Sequence, residues 1–170
     1  MTEKQEKIAI HLRYKDVEKE FNATLEEAWL LIRKFFNEFL PSFEIASSLW
    51  ISVDLQQLAK DCERLIGFSK EGPSIMVSNA KLTDNETLLM WLLASHLGHE
   101  LGALTNEVVS KEDLKHRLGK SAKITSTRLG ELVKNGSVVK TEGEKFKITT
   151  FGIIQMQKEV LPRIRAKINS

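Results

Sequence analysis

Apolar and polar positions alternate at the start of the chain. Ile8, Ile10, Leu12 and Tyr14 take one face and Ala9, His11 and Arg13 the other, which predicts a strand over 8–14. Lys15-Asp16 makes a turn, and Val17 to Phe21 return as a second strand. The period then changes from two to that of a helix. Thr24 stands three residues before Glu27, a spacing that satisfies free amides at a helix start. The helix predicted from there runs to Leu40, where Pro41 stops it. Leu25, Ala28, Trp29, Ile32, Phe35, Phe36 and Phe39 form its broad apolar face.

Beyond the unassigned stretch Phe43 to Trp50, Asp54 caps a helix whose stripe is Leu55, Leu58, Ala59, Cys62, Leu65 and Ile66. A second hairpin is expected from Leu65–Phe68 and Ser74–Val77 around the turn 69–73. Thr83 or Asp84 then caps a helix to about Leu101. Its positions 88–94 and 97 are apolar on nearly every side, so it must be covered on most of them and predicts a central element.

From Ser110 the pattern shortens. Ser110 caps a helix ending at Leu118-Gly119, and a second helix follows Ser121 and closes at Gly136. Two helices joined by about three residues, with a glycine in the turn, are a helix-turn-helix layout. Leu114, Leu118, Thr125, Leu129, Leu132 and Val133 are its inward set. Val138-Val139 begin a strand, Thr141 to Lys145 turn around Gly143, and Phe146 to Thr149 return. At Thr150-Phe151-Gly152 the chain enters a last helix, interrupted by Pro162.

The run SAKITSTRLGELVKNGSVVKTEGEKFKITTFG resembles the recognition helix, wing and closing strand of prokaryotic winged-helix regulators, broadly of the MarR or ArsR kind. The similarity covers roughly the C-terminal third; residues 1–104 resemble no family. The resemblance implies a winged helix, a duplex-DNA partner, wing contacts to the adjacent backbone or minor groove, and dimerisation. The expected fold is therefore α+β, with an N-terminal helical body carrying two short β-hairpins (1–104) and a C-terminal winged helix-turn-helix (105–170).

Composition alone is ordinary: 170 residues, 42% hydrophobic, 28% charged, net +2. The distribution of charge is not. Residues 1–104 carry 11 basic and 16 acidic side chains, and residues 105–170 carry 14 and 7. A basic module attracts phosphates by releasing counterions. On the second helix, Lys123, Ser126, Thr127 and Arg128 face away from the inward set. Lys120 precedes it, and Lys140, Lys145 and Lys147 decorate the wing; these eight are the expected duplex-binding residues. Glu131, Glu142 and Glu144 dilute this surface and leave a second reading open, a protein-interaction adaptor built on the same fold.

Ile153, Met156, Val160, Ile164 and Ile168 fall near coiled-coil spacing. Ile153, Val160, Ile164 and Ile168 are accordingly the expected homodimer interface, with the aromatic helix at 25–40 as the rival surface. His96, His99 and Glu100 cluster without a third ligand at a telling spacing, so no metal or other cofactor is expected. Trp29, Phe35, Phe36, Phe39 and Trp91 are core positions that a small-molecule effector could also use, though no motif requires one. Cys62 is the single cysteine, with no intrachain partner. No phosphate loop, nucleophile elbow or paired acids occur, so an enzyme is not expected. The charged N-terminus and the absence of a long apolar run predict a cytoplasmic protein with no membrane partner.

Overall fold

The computed structural model describes residues 7–39 and 51–169; the stretch 43–50 and the expected stop at Pro41 lie outside them. The chain divides into two compact units, Met1–Ile51 and Ser52–Ser170. Both are mixtures of helices and small antiparallel sheets, and both expected hairpins are present.

In the first unit, β1 (Ile8–Tyr14) pairs with β2 (Val17–Ala23) in the register Ile8↔Ala23 to Tyr14↔Val17. Helix α1 (Leu25–Phe39) follows at once. The Thr24 amide donates to Glu27 Oε2 at 3.0 Å and the Glu27 amide to Thr24 Oγ1 at 3.3 Å, which completes the expected capping box. Ala28 and Phe35 are buried; Phe35 meets Phe36 edge-on at 5.6 Å and Phe39 at 5.0 Å. The inward face is narrower than its sequence pattern. Leu25 and Trp29 are 77% and 62% exposed, because a two-stranded hairpin cannot cover a stripe that wide.

The second unit begins with α2 (Leu55–Cys62), capped by Asp54, whose Oδ1 accepts from the Gln57 amide at 3.0 Å. Burial pushes the Cys62 thiol up to about 12, with Asp61 adding to the shift, so this cysteine is inert packing. The hairpin β3 (Ile66–Ser69) and β4 (Gly72–Ile75) turns more tightly than expected, around Lys70-Glu71 alone. Pro73 fits within β4 because a two-stranded sheet leaves an edge that needs no donor.

Helix α3 (Asp84–Glu100) is the hub. Thr83 and Glu86 form its capping box, and it buries Leu88, Leu89, Met90, Leu92, Leu93, Ala94 and Leu97. At about 2 kcal/mol for each large aliphatic side chain removed from water, this helix dominates the core. The segment that follows comprises β5 (Val109–Ser110), α4 (Lys111–Leu118), α5 (Ala122–Lys134), β6 (Val138–Thr141) and β7 (Lys145–Ile148); α3 contacts α2, β3 and β4 before it and α4, α5 and β7 within it. One continuous core therefore runs from Leu58 to Ile164. The boundary expected at 104/105 falls inside this core. A helix that is apolar all round packs on both of its neighbours and cannot mark a division between them.

The C-terminal helix is α6 (Thr150–Gln155), a π-helical stretch (Met156–Val160) and α7 (Leu161–Asn169). The Leu161 amide reaches back five residues to Met156 O. This widened turn lies where Pro162, lacking an N–H and crowding the previous turn, would break an ordinary helix. The expected dimer stripe is corrected here. Ile153, Val160 and Ile164 are 2%, 5% and 0% exposed, buried in the chain's own core, and only Ile168 remains exposed. The helix packs back because the core offers it more apolar surface than its narrow seam would find elsewhere.

No helix among the described residues is long and apolar enough to cross a membrane.

Candidate nucleic-acid interface

Local sequence builds this site. Ser110 Oγ accepts the Asp113 amide at 3.0 Å and starts α4, which ends on Gly119 in the left-handed conformation (φ 67°). Two residues later Ser121 Oγ accepts the Ile124 amide and starts α5. Leu114, Leu118, Thr125, Leu129 and Leu132 are buried between these helices and α3, as the pattern predicts, whereas Val133 is 38% exposed at the open end of α5. The hairpin follows with β6 and β7 in the register Val138↔Ile148 to Thr141↔Lys145, and β5 adds a third strand against β7. Two-residue β5 is too short to give a periodic signal in the sequence.

The hairpin is locked to α6 at one joint. The Thr149 amide donates to Ser137 O at 3.0 Å, Thr149 Oγ1 donates to Gly136 O at 2.6 Å, and the Gly152 amide donates to Thr149 Oγ1 at 3.0 Å. A Cβ on Gly152 would collide with the Ser137 carbonyl, so only glycine lets the helix start this close to the strand.

With 100° between residues, α5 presents three surfaces besides its core face. Lys123, Thr127 and Lys134 point away from the core and are exposed. Ala122, Ser126, Gly130 and Val133 face the hairpin. Ile124, Arg128 and Glu131 lie on the side of the α3 N-terminus. Ser126 and Thr127 return their hydroxyl protons to the carbonyls of Ala122 and Lys123 at 2.8 and 3.0 Å, and their oxygens keep the capacity to accept.

The expected binding residues are thereby divided. Lys120, Lys123, Ser126, Thr127, Lys140 and Lys145 are exposed. Arg128 is turned aside: its Nη1 contacts Glu131 at 3.0 and 3.2 Å, its Nε lies 3.5 Å from Asp84, and Asn85 holds Glu131 at 3.1 Å. The hydrogen bond and charge of Glu131, with Asp84 beside it, raise the Arg128 guanidinium above its ordinary value. Lys147 is half-buried and donates to Glu107 Oε1 at 2.7 Å, while His96 Nδ1 donates to Glu107 Oε2 at 3.1 Å. The Glu107 carboxyl is lowered; burial opposes this, but Lys147 and His96 outweigh it. Arg117 is also withdrawn, its guanidinium 4.1 Å from the Trp91 ring centre.

Two residues outside the expected set belong to this surface. Lys134 follows Lys123 by eleven residues, three helical turns, a periodicity visible in the sequence. Lys111 stands at the start of α4, across a groove from the hairpin tip, and nothing local predicts that. Among the described residues, Lys120, Lys123, Lys134 and Lys145 have no acidic partner.

The alternative sites acquire plain structural roles. His96 serves Glu107, and His99 Nδ1 donates to Leu104 O at 3.3 Å. No group of three His, Cys, Asp or Glu among the described residues is placed to share a metal ion. A groove of about 300 Å³ is lined by Glu63, Arg64, Leu65, Arg165 and Ile168, with none of the aromatics proposed for an effector.

No family model, curated protein or solved structure matches this chain.

Proposed function

We propose that Ser52–Ser170 is a winged-helix unit that binds double-stranded DNA, with α5 as the recognition helix, β6–β7 as the wing, and a role in transcription regulation. The observation that carries this reading is the outward surface of α5. Lys123, Thr127 and Lys134 project together, without acidic partners, beside the low surface at Ser126 and Gly130, where nothing lies within 4 Å of a Cβ built on Gly130. A helix so furnished can approach a major groove closely. Lys120 and Lys145 extend the cationic surface at either side. Arg128 and Lys147 act in this reading as internal ties rather than as DNA contacts.

Among the described residues, four cations of this surface are unpartnered, so the salt dependence is modest for a DNA-binding protein. The log–log slope of affinity against salt should be about −3 to −4. Titration of a labelled random-sequence duplex at several salt concentrations tests this. Lys123→Ala with Lys134→Ala should weaken binding and flatten the slope by about 2. Absence of any duplex binding at low salt would overturn the reading.

One observation favours protein contacts as well. Leu25, Trp29 and Leu30 are 77%, 62% and 65% exposed on α1. The homodimer contact, excluded from the C-terminal stripe, is assigned to this helix, and the protein is read as cytoplasmic with no cofactor.

A further inference from the structure

Two lysines from distant parts of the sequence meet at the mouth of the groove between the hairpin and the two helices. Lys111 opens α4 and Lys140 lies on β6. Their Nζ atoms are 3.9 and 3.5 Å from the same oxygen, Glu144 Oε1. Glu144 is at the hairpin tip with its side chain 63% exposed. It lines the same groove as Ser126 and Gly130 of α5, so the carboxylate borders the surface assigned above to DNA.

The backbone puts it there. Gly143 (φ 68°) and Glu144 (φ 53°) are consecutive left-handed residues, which folds the tip back toward α4. Glycine makes such a turn with least steric conflict, and a glutamate is a poor choice for it. What glutamate adds is a negative charge held between two cations. Exposed pairs of this kind are weak and easily exchanged. A duplex phosphate offers the same lysines an oxygen anion within a much stronger field.

We propose that Lys111 and Lys140 form a phosphate-binding site for the nucleic-acid backbone, and that Glu144 occupies it in the free protein as an internal competitor. Binding then requires the carboxylate to swing out, which lowers non-specific affinity. This rests on the DNA-binding reading given above. The lysines are thus hidden from the salt slope of the free face, because part of the ion release they would contribute is offset by the carboxylate they already hold.

The test compares the full-length wild type, Glu144→Gln, and Glu144→Gln combined with Lys111→Gln and Lys140→Gln, using the labelled duplex over a salt series. Glu144→Gln should bind about 3- to 10-fold more tightly at low salt, with a slope steeper by about 1 to 2. The triple variant should lose that gain. A wild type that binds duplex while Glu144→Gln shows the same affinity and slope would overturn this proposal and leave the DNA-binding reading standing. A gain that survives in the triple variant would show general charge relief and overturn the site. If neither wild type nor Glu144→Gln binds at low salt, the DNA-binding reading falls and takes the site with it.

Discussion

Glu86 shows how one side chain can join two ends of the unit. It is buried at the start of α3, where its Oε2 accepts from the Thr83 amide at 2.8 Å, while Arg163 and Lys167 of α7 reach it at 2.8 and 3.6 Å. Burial raises its carboxyl, but the Thr83 amide, Lys167 and Arg163 outweigh that and hold it below the ordinary 4.5. A depressed carboxyl gives stability that is complete above its unfolded value and is lost as pH falls through its folded value. Glu86→Gln should therefore lower stability by about 2 kcal/mol at neutral pH. The gap between wild type and variant should shrink below about pH 4. Urea unfolding at both pH values checks this; a gap independent of pH would remove the charge from the explanation. The sequence shows the capping half of this residue's role, through its spacing from Thr83. Its partners some 80 residues away leave no local trace.

At the scale of elements, two glycines with the same sequence appearance have opposite roles. Gly152 abuts the Ser137 carbonyl, so Gly152→Ala must displace backbone and should cost about 2 kcal/mol. Gly130 lies within α5 with open space around it, so Gly130→Ala should stabilise by about 0.5–1 kcal/mol, since alanine loses less chain entropy in a helix. Denaturation midpoints of the two variants should move in opposite directions; shifts of one sign would contradict the packing described. Caps and periods make most elements legible, including all three hairpins, the caps at Asp54, Ser110 and one of Thr83 or Asp84, the helix start after Ser121, and the turn at Gly119. Strand β5 was not legible, because two residues carry no period and its existence depends on β7 being beside it. The two-residue turn at Lys70-Glu71 is not legible either. Composition marks a turn's neighbourhood but not its register, which pairing across the strands fixes.

For the whole molecule, the units redistribute the charge. Met1–Ile51 holds 7 basic and 9 acidic residues, and Ser52–Ser170 holds 18 and 14. The basic segment 105–170 thus belongs to one unit with Asp84 and Glu86, which draw in Arg128 and Arg163, while its own Glu107 draws in Lys147. The proposed self-association is tested at this scale too. Equilibrium sedimentation should show a dimer for the wild type and a monomer of unchanged helicity for Trp29→Glu with Leu30→Glu. A dimer that survives both changes, or a wild-type monomer at the highest attainable concentration, would remove the assignment to α1.

Local sequence dictates what depends on neighbours along the chain: where most helices start, most of the inward face of α5 (Val133 excepted), and the order of helix, helix and hairpin from Ser110 onward. These follow from hydrogen bonds and periods spanning a few residues. Only the tertiary structure decided which cations stay available. Lys123 and Arg128 are equally polar on one helix, yet one points outward and the other is drawn to Asp84 and Glu131. Likewise Ile164 has the spacing of an interface residue and lies in the core. Ion pairing and burial are settled by packing partners far away in sequence, and no pattern confined to one segment contains them.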